Sequence, residues 1–290
     1  MRIQLLSDLH LEANPGFCPV VAPGADVLVL AGDIGSYQRR PDGAQMAEPD
    51  WGLQRFSPLP QYAGWPTPVL FCPGNHEYDG LDFDDAHRRL RATCERLGIV
   101  WLERATHVLA GVRFIGTTLW SDFDALAQVP HAGRGLPAEP QARAVKLRER
   151  AFRAANFHLT RMQTQRHGRL FDAQAVREEA LAAQDWLRTA LEQPHPGPTV
   201  VVTHFAPSLR SQDPRYGINP GTAGFCNALD DWLALADVWL HGHLHCRQDY
   251  RLHGCRVVAN PLGYADKAEQ EGFDPVCVVE VDDRAVLGCA

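Results

Sequence analysis

The chain has 290 residues, 45% of them hydrophobic and 22% charged, a globular balance that excludes a disordered, collagen-like or coiled-coil polymer. That length buries a core without disulfide or metal staples, and at about 150 residues per domain it fits one large or two small domains. The net charge of −7 opposes a protein that grips nucleic acid by phosphate neutralisation, but not an enzyme whose positive charge comes from bound cations.

Residues 2–7 form a short apolar segment that meets Asp8 too early for the apolar stretch of a signal peptide. No apolar run approaches the roughly 18 residues of a membrane span, so the expected compartment is the cytoplasm. Residues 26–30 (DVLVL) run apolar into Ala31-Gly32-Asp33, and Val69–Cys72 runs into Pro73-Gly74-Asn75-His76. Between them, 38–68 is rich in proline, glycine and glutamine and reads as a loop with one short helix. Residues 82–97 repeat Phe83, Ala86, Leu90, Cys94 and Leu97 at helical spacing, with Gly98 as the stop. Residues 107–119 read as a hairpin turning at Ala110-Gly111.

From 122 to 192 the character changes. An irregular part through Pro140 precedes an alanine-, arginine- and glutamine-rich stretch, 141–192, that predicts two long helices. With few large apolar residues, 122–192 is expected to be a helical insertion or cap within a single 1–290 domain. Strands resume at Thr199–Thr203 (TVVVT), ending at His204, and at 238–240, ending at His241-Gly242-His243. A hairpin follows (250–252 and 256–259, turning at His253-Gly254), then a last strand at 276–281. Fully apolar strands alternating with helices predict an α/β class with covered sheets. The cysteines (Cys18, Cys72, Cys94, Cys226, Cys246, Cys255, Cys277 and Cys289) form no C-x-x-C pair and read as small buried hydrophobes.

Five times an apolar strand breaks into a loop bearing metal-type side chains: Asp8-Leu9-His10, Gly32-Asp33, Gly74-Asn75-His76-Glu77, His204, and Gly242-His243-Leu244-His245. Each alone has a plain structural reading as a turn or a satisfied strand-end histidine. Their order and shared placement at strand ends, where α/β sheets put their ligand crevices, point together to a metal site. Aspartate, asparagine and histidine suit manganese, iron, zinc or nickel better than a soft thiolate site would. Asp33 can place one oxygen on each of two ions, and ions about 3.5–4 Å apart clamp the attacking and leaving oxygens of a displacement at phosphorus. His87, His107, His131, His158, His167, His195 and His253 lie outside these motifs and read as surface or capping residues, and His241 as a support behind the ligands.

The ordered set D-x-H, G-D, G-N-H-E, H and G-H-x-H resembles the calcineurin-like metallophosphoesterase superfamily, from Asp8 to His245. The resemblance implies a four-layer α/β/β/α sandwich of two mixed sheets flanked by helices, with a binuclear centre at one end. It implies Asp8, His10, Asp33 and His245 on a first metal, and Asp33, Asn75, His204 and His243 on a second. His76 would stand unliganded beside them as the catalytic residue. SDLHLE near the N-terminus, TTLWSDF at 117–123 and NPLGY at 260–264 are similar to a bacterial branch. Gly32-Asp33-Ile34-Gly35-Ser36-Tyr37 lacks the Asp-Arg-Gly that follows this motif in the Ser/Thr protein phosphatases.

The expected activity is hydrolysis of phosphodiesters, phosphomonoesters or both by a hydroxide bridging two divalent metal ions, with manganese first among the four metals. His76 would protonate the leaving oxygen. Arg210 and Arg215 could grip a phosphate oxygen bidentately; Tyr216 shares their loop, and Tyr264 could stack on an aryl or base group. The expected partner is a small phosphate ester, with no membrane, nucleic acid disfavoured by charge, and the oligomeric state open. The alternatives are a nucleotide-directed enzyme (a cyclic-nucleotide phosphodiesterase or nuclease) and a non-catalytic interaction scaffold, the last opposed by the retention of every ligand position.

Overall fold

The structure, a computed structural model, describes residues 1–39, 43, 45–128 and 139–282. His131, Cys289 and most of the irregular stretch before Pro140 lie outside the described residues. Strand β2 (Val27–Ala31) is buried at all five positions. Successive strand side chains point to opposite faces, so Val27, Val29 and Ala31 join one core while Leu28 and Leu30 join another. A strand apolar on both faces must be covered on both, and two packed sheets with outer helices do this.

The first sheet sets β1 (Arg2–Leu6), β2, β3 (Val69–Cys72) and β4 (Val100–Trp101) parallel in that order, with β13 (Val278–Glu280) antiparallel on the β1 edge. The second sets β6 (Val112–Thr117), β9 (Thr199–Thr203), β10 (Val238–His241) and β12 (Cys255–Ala259) parallel, between antiparallel edge strands β5 (Ala105–Leu109) and β11 (Gln248–Leu252). Both hairpins turn where the sequence places them. The two-residue strands β7 (Gln165–Arg166) and β8 (Arg169–Leu170) form a separate small ladder.

Ile3, Leu5, Val29, Phe114, Val200, Val202 and Leu240 make one core; a fully buried leucine there contributes about 1.5–3 kcal/mol of transfer free energy. Helix α1 (Phe83–Leu97) buries Ala86, Leu90, Cys94 and Leu97 and packs against β4. The Asp82 side chain caps its first turn by accepting from the N–H groups of Asp84 and Asp85, and Gly98, at φ 69°, ends it in the left-handed conformation. The same buried face draws in His87, which meets the Tyr78 hydroxyl at 3.2 Å and the Trp101 ring, so this histidine is half-buried rather than a surface residue.

The 122–192 segment contains the two expected helices, and they behave differently. Helix α2 (Pro140–Met162) buries only Leu147 and Ala151 and rests on the turns Ala125–Gln128 and Pro220–Gly224. Helix α3 (Ala173–Glu192) buries Ala173, Val176, Ala180, Ala183, Leu187 and Leu191 and lies on β6 as an outer layer. Its alanines let it approach closely, so few large side chains are needed. Cys72, Cys94, Cys226, Cys255 and Cys277 are free and buried as expected, whereas Cys18 is exposed and Cys246 half-buried. Among the described residues no helix is long and apolar enough to cross a membrane.

At the carboxyl ends of the parallel strands the two sheets are stitched together. Ser7 and Pro261 form a parallel bridge. The Leu262 N–H donates to the Ser7 carbonyl at 3.1 Å and the Gly263 N–H to the Asp8 carbonyl at 2.9 Å. The loops that follow β1, β2, β3, β9, β10 and β12 therefore share one end of the molecule.

Candidate metal centre

The loops at this end hold their side chains through unusual backbone. Asp8 (φ 52°), His10 (45°), Asp33 (54°), His243 (72°) and His245 (45°) are all left-handed, a conformation that costs residues with a Cβ about 1–2 kcal/mol each. Such strain concentrates where function fixes geometry. Hydrogen bonds between loops sustain it. The Asp8 N–H donates to the Gly32 carbonyl (2.9 Å), the His10 N–H to the Asp33 carbonyl (3.0 Å) and the Gly242 N–H to the His204 carbonyl (3.0 Å). The Asp33 and Asp8 carboxylates also accept from the N–H groups of His76 and His243, each at 2.8 Å.

Three overlapping groups of donors result. Asp8, His10 and His245 each offer an atom within 4.8 Å of the others, and so do Asp33, His204 and His243, and, third, His10, Asp33 and His76. In the first group Glu12 engages His10 Nδ1 at 3.0 Å and Glu269 engages His245 Nδ1 at 2.6 Å. The two Nε2 atoms face each other 3.0 Å apart, a contact that a shared proton or a cation satisfies. In the second group the Ala31 carbonyl takes His204 Nδ1–H at 2.9 Å, which turns Nε2 inward to 3.0 Å from Asp33 Oδ2. That pair lacks the angles of a hydrogen bond. Asp33 joins the groups: its Oδ2 is also 3.9 Å from His10 Nε2 and 4.0 Å from His76 Nε2.

Asp8 Oδ2, Asp33 Oδ2, Asn75 Oδ1, His204 Nε2 and His243 Nε2 are buried without a hydrogen-bond partner. Buried polar atoms are ordinarily satisfied, and these five come from five different loops. Their mixed oxygen and imidazole chemistry fits divalent cations. The electrostatics agree. Burial opposes charge on Asp33, yet His204 and His76 hold its carboxyl well below the usual carboxylate range. Burial likewise opposes charge on His204, but Asp33 carries it up to about 9. His243, buried and beside His204, is held far down as a neutral imidazole.

His76 belongs to the group that it forms with His10 and Asp33. Asp79, itself buried and pushed up to about 6 by that burial, meets its Nδ1 at 2.5 Å. Burial opposes the imidazolium, but Asp79 and Asp33 together raise it well above its ordinary value.

Of the residues considered for substrate, Tyr264 stacks on His10 with ring centroids 4.3 Å apart, its hydroxyl 3.2 Å from His10 Nδ1. Arg215 is held in two-point contact by Asp213, donates to the His245 carbonyl at 3.2 Å and lies over the exposed Tyr216 ring. Arg210 is exposed to solvent.

Sequence reasoning missed the carboxylates behind the donors. Glu77 accepts the N–H groups of Gly74 (2.7 Å), Asp33 (3.1 Å) and Ile34 (2.6 Å), tying two loops together. Burial and Asp33 push its carboxyl up to about 8 while those N–H groups pull the other way. Glu12 supports His10 and also accepts the Ser36 N–H at 2.9 Å. Glu12 and Glu77 sit inside quoted motifs and could have been found by asking what orients each imidazole. Glu269 carried no such signal. His241 is wholly buried, with its Nε2 3.0 Å from Ser211 Oγ and its Nδ1 3.0 Å from the Gly242 carbonyl.

A family model for calcineurin-like phosphoesterases matches residues 1–247. Among curated proteins, an uncharacterised protein of Acanthamoeba polyphaga mimivirus is 24% identical over 232 residues, 75% of this chain and 75% of that one. Among solved structures, phosphopantetheinyl hydrolase from Mycobacterium tuberculosis superposes with a TM-score of 0.66 at 21% identity, over 97% of this chain and 96% of that one, a likeness of fold. The matched span holds every donor from Asp8 to His245 on the two-sheet frame: the chain belongs to the calcineurin-like phosphoesterase family and is a metal-dependent phosphoesterase.

Proposed function

We propose that the protein hydrolyses small phosphodiesters and simple phosphomonoesters at a pair of divalent cations, manganese first. Asp8, His10, Asp33 and His245 would hold one ion, and Asp33, Asn75, His204 and His243 the other. The observation that carries this reading is the set of five orphaned buried atoms, one from each of five strand-end loops, with Asp33 common to two of the three donor groups. Such ions, when bound, supply Lewis acidity toward the phosphoryl oxygens and lower the pKa of water toward neutrality.

The chain does the rest. The carboxylates among the donors are Asp8 and Asp33, so a pair of divalent cations leaves the donor set itself net positive, toward the side a phosphate ester approaches. Asp79 fixes the His76 ring through Nδ1. The Nε2 of His76, on the Asp33 side, is then the atom that gives a proton to the leaving oxygen.

Reconstitution with manganese, iron, zinc and nickel separately, followed by assay on bis-p-nitrophenyl and p-nitrophenyl phosphate, tests the reading. Phosphopantetheinyl esters belong in the same screen because the superposable hydrolase is named for them. The expected result is two ions per active chain. His76→Ala should cost more with an alkyl leaving group than with p-nitrophenolate, which needs little protonation. Equal losses would remove the acid role of His76, and full activity with a single ion would remove the pair.

A further inference from the structure

The His243 ring lies between two phenylalanines, Phe205 at 4.0 Å and Phe225 at 4.9 Å, both at an interplanar angle of 30°. Their surroundings differ. Phe205 is 3% exposed and is packing; Phe225 is 39% exposed and presents ring surface to solvent. Its place is fixed by backbone: the Ala206 N–H donates to the Phe225 carbonyl at 3.3 Å and the Asn227 N–H to the Ala206 carbonyl at 2.9 Å. Asn227, buried, in turn donates to the Trp120 carbonyl at 2.7 Å. Phe225 is thus a pre-positioned face beside a donor imidazole, which lowers the ordering cost of using it.

The same loop exposes Tyr216 (65%) and Ile218 (56%). It is folded, closed by the reciprocal Asn219–Thr222 capping box and anchored through Arg215 to Asp213 and the His245 carbonyl. Of these exposed apolar side chains Phe225 lies against a donor imidazole, at the edge of a polar site. A phosphoryl group has no use for an apolar ring there, whereas the carbon part of an ester does.

We propose that Phe225 is a specificity-determining residue, a wall that receives an aromatic ring carried on the phosphate ester. This rests on the phosphate-binding centre argued above and adds the chemical class of its ester group. A stacked aromatic pair gains about three- to tenfold in affinity beyond simple burial.

The test is calorimetric binding of phenylphosphonate and methylphosphonate to the metal-loaded protein, with the ratio of the two affinities as readout. The wild type should favour the phenyl compound by more than about threefold, because burial adds to the stacking gain. Phe225→Ala should lower that ratio about three- to tenfold, Phe225→Tyr should keep it, and Phe225→Leu should fall between. Metal content and circular dichroism report whether each variant holds its centre and fold. Equal affinities in the wild type, or a ratio that Phe225→Ala leaves unchanged, overturn the assignment while leaving the centre intact. Failure of both phosphonates to bind the loaded wild type would sink the centre and the wall together.

Discussion

Replacing Gly74 by alanine adds one methyl group at a point that Asp33 already fills. A Cβ there would lie 2.2 Å from Asp33 Oδ1 and 2.6 Å from Asp33 N, roughly 1 Å inside non-bonded contact. Gly74 is not among the left-handed residues, so the cost is steric and not torsional. Asp33 has no slack: its carbonyl accepts from His10 N–H at 3.0 Å, its Oδ1 from His76 N–H at 2.8 Å, and its own N–H is spent on Glu77 at 3.1 Å. Either Asp33 or the loop carrying Asn75 must move, and both hold donors. Overpacking of this kind destabilises by about 1–3 kcal/mol, within a fold stability of about 5–15 kcal/mol, so the variant should stay folded. A displacement of about 1 Å at the donors should lower kcat/KM on the order of a hundredfold. Thermal unfolding, metal content by mass spectrometry, and kcat/KM on bis-p-nitrophenyl phosphate measure the three quantities. Wild-type metal content with kcat/KM within about twofold would refute the claim that the glycine is there to make room for the aspartate.

Glu77→Gln should weaken metal binding about 10–100-fold and lower stability by about 1–3 kcal/mol. An amide nitrogen accepts no hydrogen bond, and one buried N–H would lose its partner; an unchanged metal titration would count against the role given to Glu77. In the chelated protein, His204 and His245 stand raised from 6.5 to about 9, against burial, by Asp33 and by Asp8 with Glu269 respectively. Binding of the two cations must displace both protons, so full loading should release close to two protons at neutral pH and tighten as pH rises toward 9, then level off. The sign for folding is opposite: their contribution to the metal-free protein is full below 6.5 and lost as pH rises through 9. Calorimetry in buffers of different ionisation enthalpy, with thermal melts of the chelated protein, checks both signs; loading without proton release contradicts them.

The sequence by itself determined the main strands and helices and which residues are candidate donors. The unbroken apolar runs of β2 and β9 required sheets covered on both faces, because a strand alternates its side chains and all of these are apolar. The Asp82 cap, the helical spacing and Gly98 bounded α1. The strand-end position of each ligand motif was readable because strand, turn and donor are neighbours in the chain. Tertiary structure alone decided what the distant pieces do to one another. His10 and His245 lie 235 positions apart and meet at 3.0 Å. Glu269, 24 residues from His245, orients it from a loop with no motif of its own. The left-handed backbone at Asp8, Asp33 and His243 is imposed by neighbouring loops against local preference. The place of Phe225 beside His243 is set by the Ala206–Cys226 bridge, between segments about 20 residues apart in the chain. Periodicity and turn chemistry are short-range and can be read along a chain, whereas a 3 Å contact between loops depends on how two sheets dock.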